Sequence, residues 1–107
     1  MLGKFSQKAW LAAEKQDISD AAVSDLALAS AKLFNSTNAT AGEILLMTGK
    51  CEVMSHAGAR QFLHCLDVYS SSTDPLDRAA ARSGMTKARV LEAAFDNLAA
   101  KLSARLP

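Results

Sequence analysis

Between residues 40 and 70 the chain has no proline, and its apolar side chains fall three and four apart: Ile44, Met47, Cys51, Met54, Gly58, Phe62, Cys65 and Tyr69. That spacing keeps one face of an α-helix apolar and would scatter the same residues over both faces of a strand. The run has a clear start. Thr40-Ala41-Gly42-Glu43 fits a capping box, in which Thr40 caps forward and Glu43 reaches back to the Thr40 amide. A single helix of this length would span about 45 Å. A compact domain of 107 residues is only about 26 Å across. Either the helix breaks, at Gly58 first or Gly49 second because glycine weakens helix interiors, or the molecule is elongated and pairs with another chain.

Composition extends the helical reading to the whole chain. There are 21 Ala and 14 Leu against 2 Ile, 4 Val and 5 Thr, so helix formers crowd out strand formers. The expected architecture is all-α: one domain over residues 1–107, a small bundle of four to six helices, dimeric. A first helix is expected over 4–15, with Phe5, Ala9, Ala12 and Ala13 on one face. A second starts at Ser19 or Asp20, both good N-caps, and ends in the turn formers Asn35-Ser36-Thr37-Asn38. Asn35-Ser36-Thr37 and Asn38-Ala39-Thr40 match the glycosylation pattern but read as turn and capping residues. After the polar run 70–73, Asp74-Pro75 reads as an N-cap followed by proline at the first helical position. A short helix is expected over 76–83, closed by Gly84, and a last one from the cap Thr86 to about Arg105.

Charge and cysteine usage narrow the function. Twelve Lys and Arg against eleven Asp and Glu leave +1, which argues against a strongly basic nucleic-acid coat. No apolar run approaches a membrane span. Cys51 and Cys65 are too few for a disulfide framework and suit a reducing compartment; with no signal peptide recognised, a cytoplasmic protein is expected.

Four constellations are candidates for function. The segment 76–90 has a small residue at Ala80, a turn glycine at Gly84, apolar anchors at Met85 and Val90, and a helix start at Thr86. It resembles the helix-turn-helix units of bacterial regulators. The resemblance implies DNA binding through Thr86, Lys87 and Arg89, with Arg78 and Arg82 on the phosphates. Against this, Leu91 and Phe95 would face the groove and cannot read base edges, and Glu92 and Asp96 would repel phosphate. A plain αα-hairpin with Gly84 as C-cap is the stronger reading of this segment.

Met47, Cys51 and Met54 supply soft sulfur suited to Cu(I), with His56, His64 and Cys65 farther along. Yet no Cys-x-x-Cys or His-x-x-x-His pair occurs, and neighbours on a helix diverge by about 100°. No metal, haem or other cofactor is expected. Ser55-His56 and His64-Cys65-Leu66-Asp67 contain nucleophile and base types, but sequence neighbours on a helix form no relay, so no enzyme is expected.

The remaining constellation is the spaced apolar run itself. Small residues at Ala57, Gly58 and Ala59 would admit a second helix, and Phe62 and Tyr69 would anchor it. The leading expectation is a non-enzymatic protein–protein interaction module of adaptor, chaperone or inhibitor type. It would associate through Met47, Cys51, Met54, Gly58, Phe62, Cys65 and Tyr69.

Overall fold

In the computed structural model of the chain, residues 17–106 are described. Among them there are three helices and no strand: α1 (Asp20–Asn35), α2 (Ala41–Ser71) and α3 (Pro75–Ser103). The all-α class is as expected. The count of four to six is not reached among these residues, for two reasons of different kinds. The expected helix over 4–15 lies outside the described residues. Elsewhere, the expected stop at Gly84 does not occur, and neither does the break that is one of the two alternatives for the long run.

The helix starts follow local chemistry. Ser19 accepts from the Ala22 amide at 3.3 Å to begin α1. At α2 the capping box is complete: the Glu43 amide donates to Thr40 Oγ1 at 3.2 Å, and the Thr40 amide donates to Glu43 Oε1 at 3.3 Å. Asp74 accepts from the Leu76 amide at 2.9 Å, with Pro75 at the first helical position of α3. The Asn-Ser-Thr segment forms the α1–α2 turn, where Ser36 Oγ accepts from the Asn38 amide.

Of the two alternatives for this long run, the break at Gly58 or Gly49 does not occur, and α2 runs unbroken for 31 residues. Gly58 is instead the point where α2 meets the α3 backbone. A Cβ there would stand 2.9 Å from the Glu92 nitrogen and 3.1 Å from the Ala88 carbonyl oxygen. The glycine therefore serves close helix packing, and the contact on both sides offsets its weak helix propensity.

The second correction falls on the helix-turn-helix. Residues 75–103 form one helix, and no turn occurs at Gly84. A glycine that closes a helix adopts a left-handed backbone, and no described glycine has positive φ. Gly84 is small because Cys65 is beside it: a Cβ would lie 2.7 Å from Cys65 Sγ. Thr86 does not cap a new helix either. Its hydroxyl donates back to the Arg82 carbonyl at 3.4 Å, as mid-helix threonines do.

Over the described residues the molecule measures 53 × 30 × 19 Å, the elongated shape that is one part of the second alternative for the length of α2. The antiparallel hairpin α2–α3 is its axis, and α1 packs against the end of the hairpin where α2 begins and α3 finishes. The core gathers at this base: Ile44, Cys51, Met54, Phe95, Ala99 and Leu102 are buried there, with Val23, Leu26 and Leu33 of α1 against them. Toward the tip the buried positions are small: Gly58, Cys65, Ala81 and Ala88. No described helix is long and apolar enough to cross a membrane.

Candidate functional site

The seven residues expected to associate lie along the inner seam of the hairpin. Cys51, Met54, Gly58 and Cys65 are buried within the chain, while Met47, Phe62 and Tyr69 are half-buried. α3 and α1 already occupy most of the face that the sequence offered to a partner. Leu91 and Phe95, which a recognition helix would have turned to a groove, also point inward, and Phe95 is fully buried.

The sulfur and nucleophile candidates are not brought together. Cys51 Sγ lies 3.2 Å from Ser30 Oγ, which itself donates to the Leu26 carbonyl at 2.7 Å. Burial pushes the Cys51 thiol up; the Ser30 contact only partly opposes this, and the Glu52 charge adds to it. It remains a protonated thiol at neutral pH and so a poor nucleophile. Cys65 accepts a 3.7 Å contact from Gln61 Nε2, and its neighbour His64 is exposed. Ser55 donates to Asp96 Oδ1 at 2.7 Å and to the Glu92 carbonyl at 3.1 Å, tying α2 to α3. Among the described residues no group of three His, Cys, Asp or Glu is placed to hold a metal ion.

The cationic candidates are brought together, at the tip of the hairpin. Arg78 lies over the Tyr69 ring at 4.3 Å and donates to the Tyr69 carbonyl at 3.1 Å, one of the last carbonyls of α2. Arg82 stands 5.8 Å from the same ring and donates to the Tyr69 hydroxyl at 3.4 Å. One heptad farther along each helix, Arg89 lies over Phe62 at 4.0 Å. The hydrogen bonds from Arg82 and then Arg78, with their charges, hold the Tyr69 phenol below its ordinary pKa. An open cleft of about 940 Å³ is lined by Tyr69, Thr73, Pro75, Arg78, Ala79, Arg82, Ser83, Thr86 and Lys87. Four of the five residues named for nucleic acid thus share one surface without any helix-turn-helix. Lys87 also reaches Asp20 of α1 at 2.9 Å, in an exposed ion pair.

Two features were not read from the sequence. One is the aromatic–arginine pairing, which depends on the register between α2 and α3. The other is a strip on the outer side of α2, where Leu45 and Leu63 are 58% and 59% exposed. These two are 18 residues apart, five full turns, and so share an azimuth. That signal was present in the sequence. No protein-family model matches the chain, and comparison with curated proteins and with solved structures finds no significant match.

Proposed function

We propose that this chain is a non-enzymatic interaction module that pairs with a second copy of itself through the outer strip of α2. The inner seam, buried within one chain, serves as core. The observation that carries the reading is the exposed pair Leu45 and Leu63 on one azimuth of an unbroken helix. Gly49 and Ala59 lie between them, and their small side chains admit a close helix approach.

The strip is self-complementary in the antiparallel sense. Leu45 and Leu63, Gly49 and Ala59, Glu52 and His56 lie symmetrically about position 54. Two α2 helices crossing there would set leucine on leucine, glycine on alanine, and a carboxylate against an imidazole. A parallel arrangement would set Glu52 on Glu52. This is the pattern of an isologous two-fold interface, in which each patch meets its own copy. Two unpaired cysteines suit a reducing setting, and we place the module in a cytoplasm on that ground.

Sedimentation equilibrium of the full chain at high micromolar concentration tests the proposal. A dimer is expected, with Leu45→Glu and Leu63→Glu each shifting it to monomer at unchanged helicity. A monomer from the unaltered chain, or a dimer indifferent to both substitutions, refutes it.

A further inference from the structure

Independently of the α2 strip, we infer that the hairpin tip binds the phosphodiester backbone of nucleic acid, without regard to base sequence. The anchors are Arg78, Arg82 and Arg89, with Lys87 beside them. The tip cleft is lined by Arg78, Arg82 and Lys87 and by the hydroxyls of Thr73, Ser83 and Thr86, with no carboxylate among its lining residues; Arg89 lies one heptad beyond Arg82 on the same helix. The nearby Asp74 carboxylate is engaged in capping α3; Asp20 offsets the charge of Lys87, and Glu92 lies one turn beyond Arg89, so the attraction rests on Arg78, Arg82 and Arg89.

The arginines are ordered before any ligand arrives. Arg78 is held between the Tyr69 ring and the Tyr69 and Ser72 carbonyls. Arg89 is held by the Phe62 ring. A guanidinium resting on an aromatic face keeps its edge donors for a second partner, and their planar fork matches phosphate oxygens. Arg82 and Arg89 are exposed.

The length of the stripe sets the class of ligand. Positions 78, 82 and 89 lie along one helix and span about 16 Å at 1.5 Å per residue. A single phosphate covers a small part of that, whereas one strand of a duplex places about five phosphates along it. With residues 75–103 forming one helix and no helix-turn-helix among the described residues, the contacts fall on the backbone, which positions without specifying.

The test is fluorescence anisotropy of the full chain with a labelled mixed-sequence DNA duplex of roughly 20 base pairs, at about 50 and about 200 mM salt. Three neutralised phosphates predict a fall in affinity of about 40-fold between the two. In the Arg82→Ala/Arg89→Ala double variant that salt dependence drops to about 3-fold. The Arg82→Lys/Arg89→Lys variant retains most of it, separating charge from structure. Lys101→Ala, at the other end of α3, leaves binding unchanged. The inference is overturned if no binding occurs at the lower salt, or if the double alanine variant keeps the full salt dependence. It is equally overturned if polyglutamate binds more tightly than the duplex, which would assign the tip to acidic peptides.

Discussion

Replacing Gly58 by alanine sets two opposing effects against each other. Within α2 the substitution is favourable, because alanine exceeds glycine in helix propensity by about 1 kcal/mol. Between the helices it is unfavourable. The new methyl would stand 2.9 Å from the Glu92 nitrogen, 3.1 Å from the Ala88 carbonyl oxygen and 3.3 Å from the Glu92 Cα. All three are backbone atoms of α3, so no side chain can rotate away and the helices themselves must part. Overpacking of this kind costs about 1–3 kcal/mol, and parting the helices also loosens Ala88, which is buried against the same crossing. The clash offsets or outweighs the propensity gain, leaving a net loss of up to about 2 kcal/mol. For a domain of this size that lowers the melting temperature by up to roughly 15 °C. The comparison is Gly42→Ala in the first turn of α2, where the nearest atom to the new methyl is Thr40 Oγ1 at 4.0 Å. There only the propensity term acts, and the chain is stabilised by up to about 1 kcal/mol. Thermal melts followed by circular dichroism, with urea titrations alongside, measure both. If Gly58→Ala raises stability as Gly42→Ala does, α2 and α3 do not approach at Gly58 and the hairpin register is wrong.

Three further outcomes are expected. Arg105 donates to the Leu33 carbonyl at 2.9 Å, to the Phe34 carbonyl at 2.6 Å and to the Ser36 carbonyl at 2.9 Å, closing the C-terminus of α1 from the far end of the chain. Arg105→Ala therefore costs about 1–3 kcal/mol in urea denaturation, and hydrogen exchange speeds up in α1 more than in α2. The raised Cys51 pKa means that the folded chain holds that proton more tightly than the unfolded chain. The resulting stability is intact below the ordinary thiol value of about 8.5 and is lost as pH rises through the folded value. Melts across that alkaline range show the decline, and Cys51→Ala flattens it. Tyr69 is the chain's only tyrosine, so ultraviolet titration reads it alone. Its phenol ionises below the usual tyrosine value, and Arg82→Ala moves it back up.

The parts of the fold legible in the sequence were those governed by near neighbours. Thr40 with Glu43, Ser19, and Asp74 with Pro75 act within one helical turn, and each marks a true helix start. The 3–4 spacing of Ile44, Cys51, Met54 and Cys65 likewise reports the buried face of α2 correctly. What misled was glycine. Gly58 and Gly84 look alike to local rules, as a weak point and a stop. In each case the deciding atoms belong to the other helix: the backbone at Ala88 and Glu92, and the sulfur of Cys65. Those contacts lie 19 to 34 residues away in sequence, where propensity has no reach. The tip site was half legible for the same reason. Its cations were named, but the rings of Phe62 and Tyr69 that order them became visible only once the two helices were in register.

The two ends of the hairpin divide their physical tasks. At the base, Met54, Phe95 and Leu102 are almost wholly excluded from water, and α1 closes over them. Burying side chains of that size contributes about 1.5–3 kcal/mol each, so stability concentrates there. At the tip the interface narrows to Gly58, Cys65, Ala81 and Ala88, whose small side chains bury little area but bring the two backbones together. That closeness is what allows Phe62 and Tyr69 on α2 to reach Arg89, Arg82 and Arg78 on α3. Larger residues at the crossing would add apolar burial and push the rings out of range of the guanidinium groups. The small-residue seam at the tip thus gives up core volume for an ordered, cationic surface, while the base supplies the stability that lets it do so.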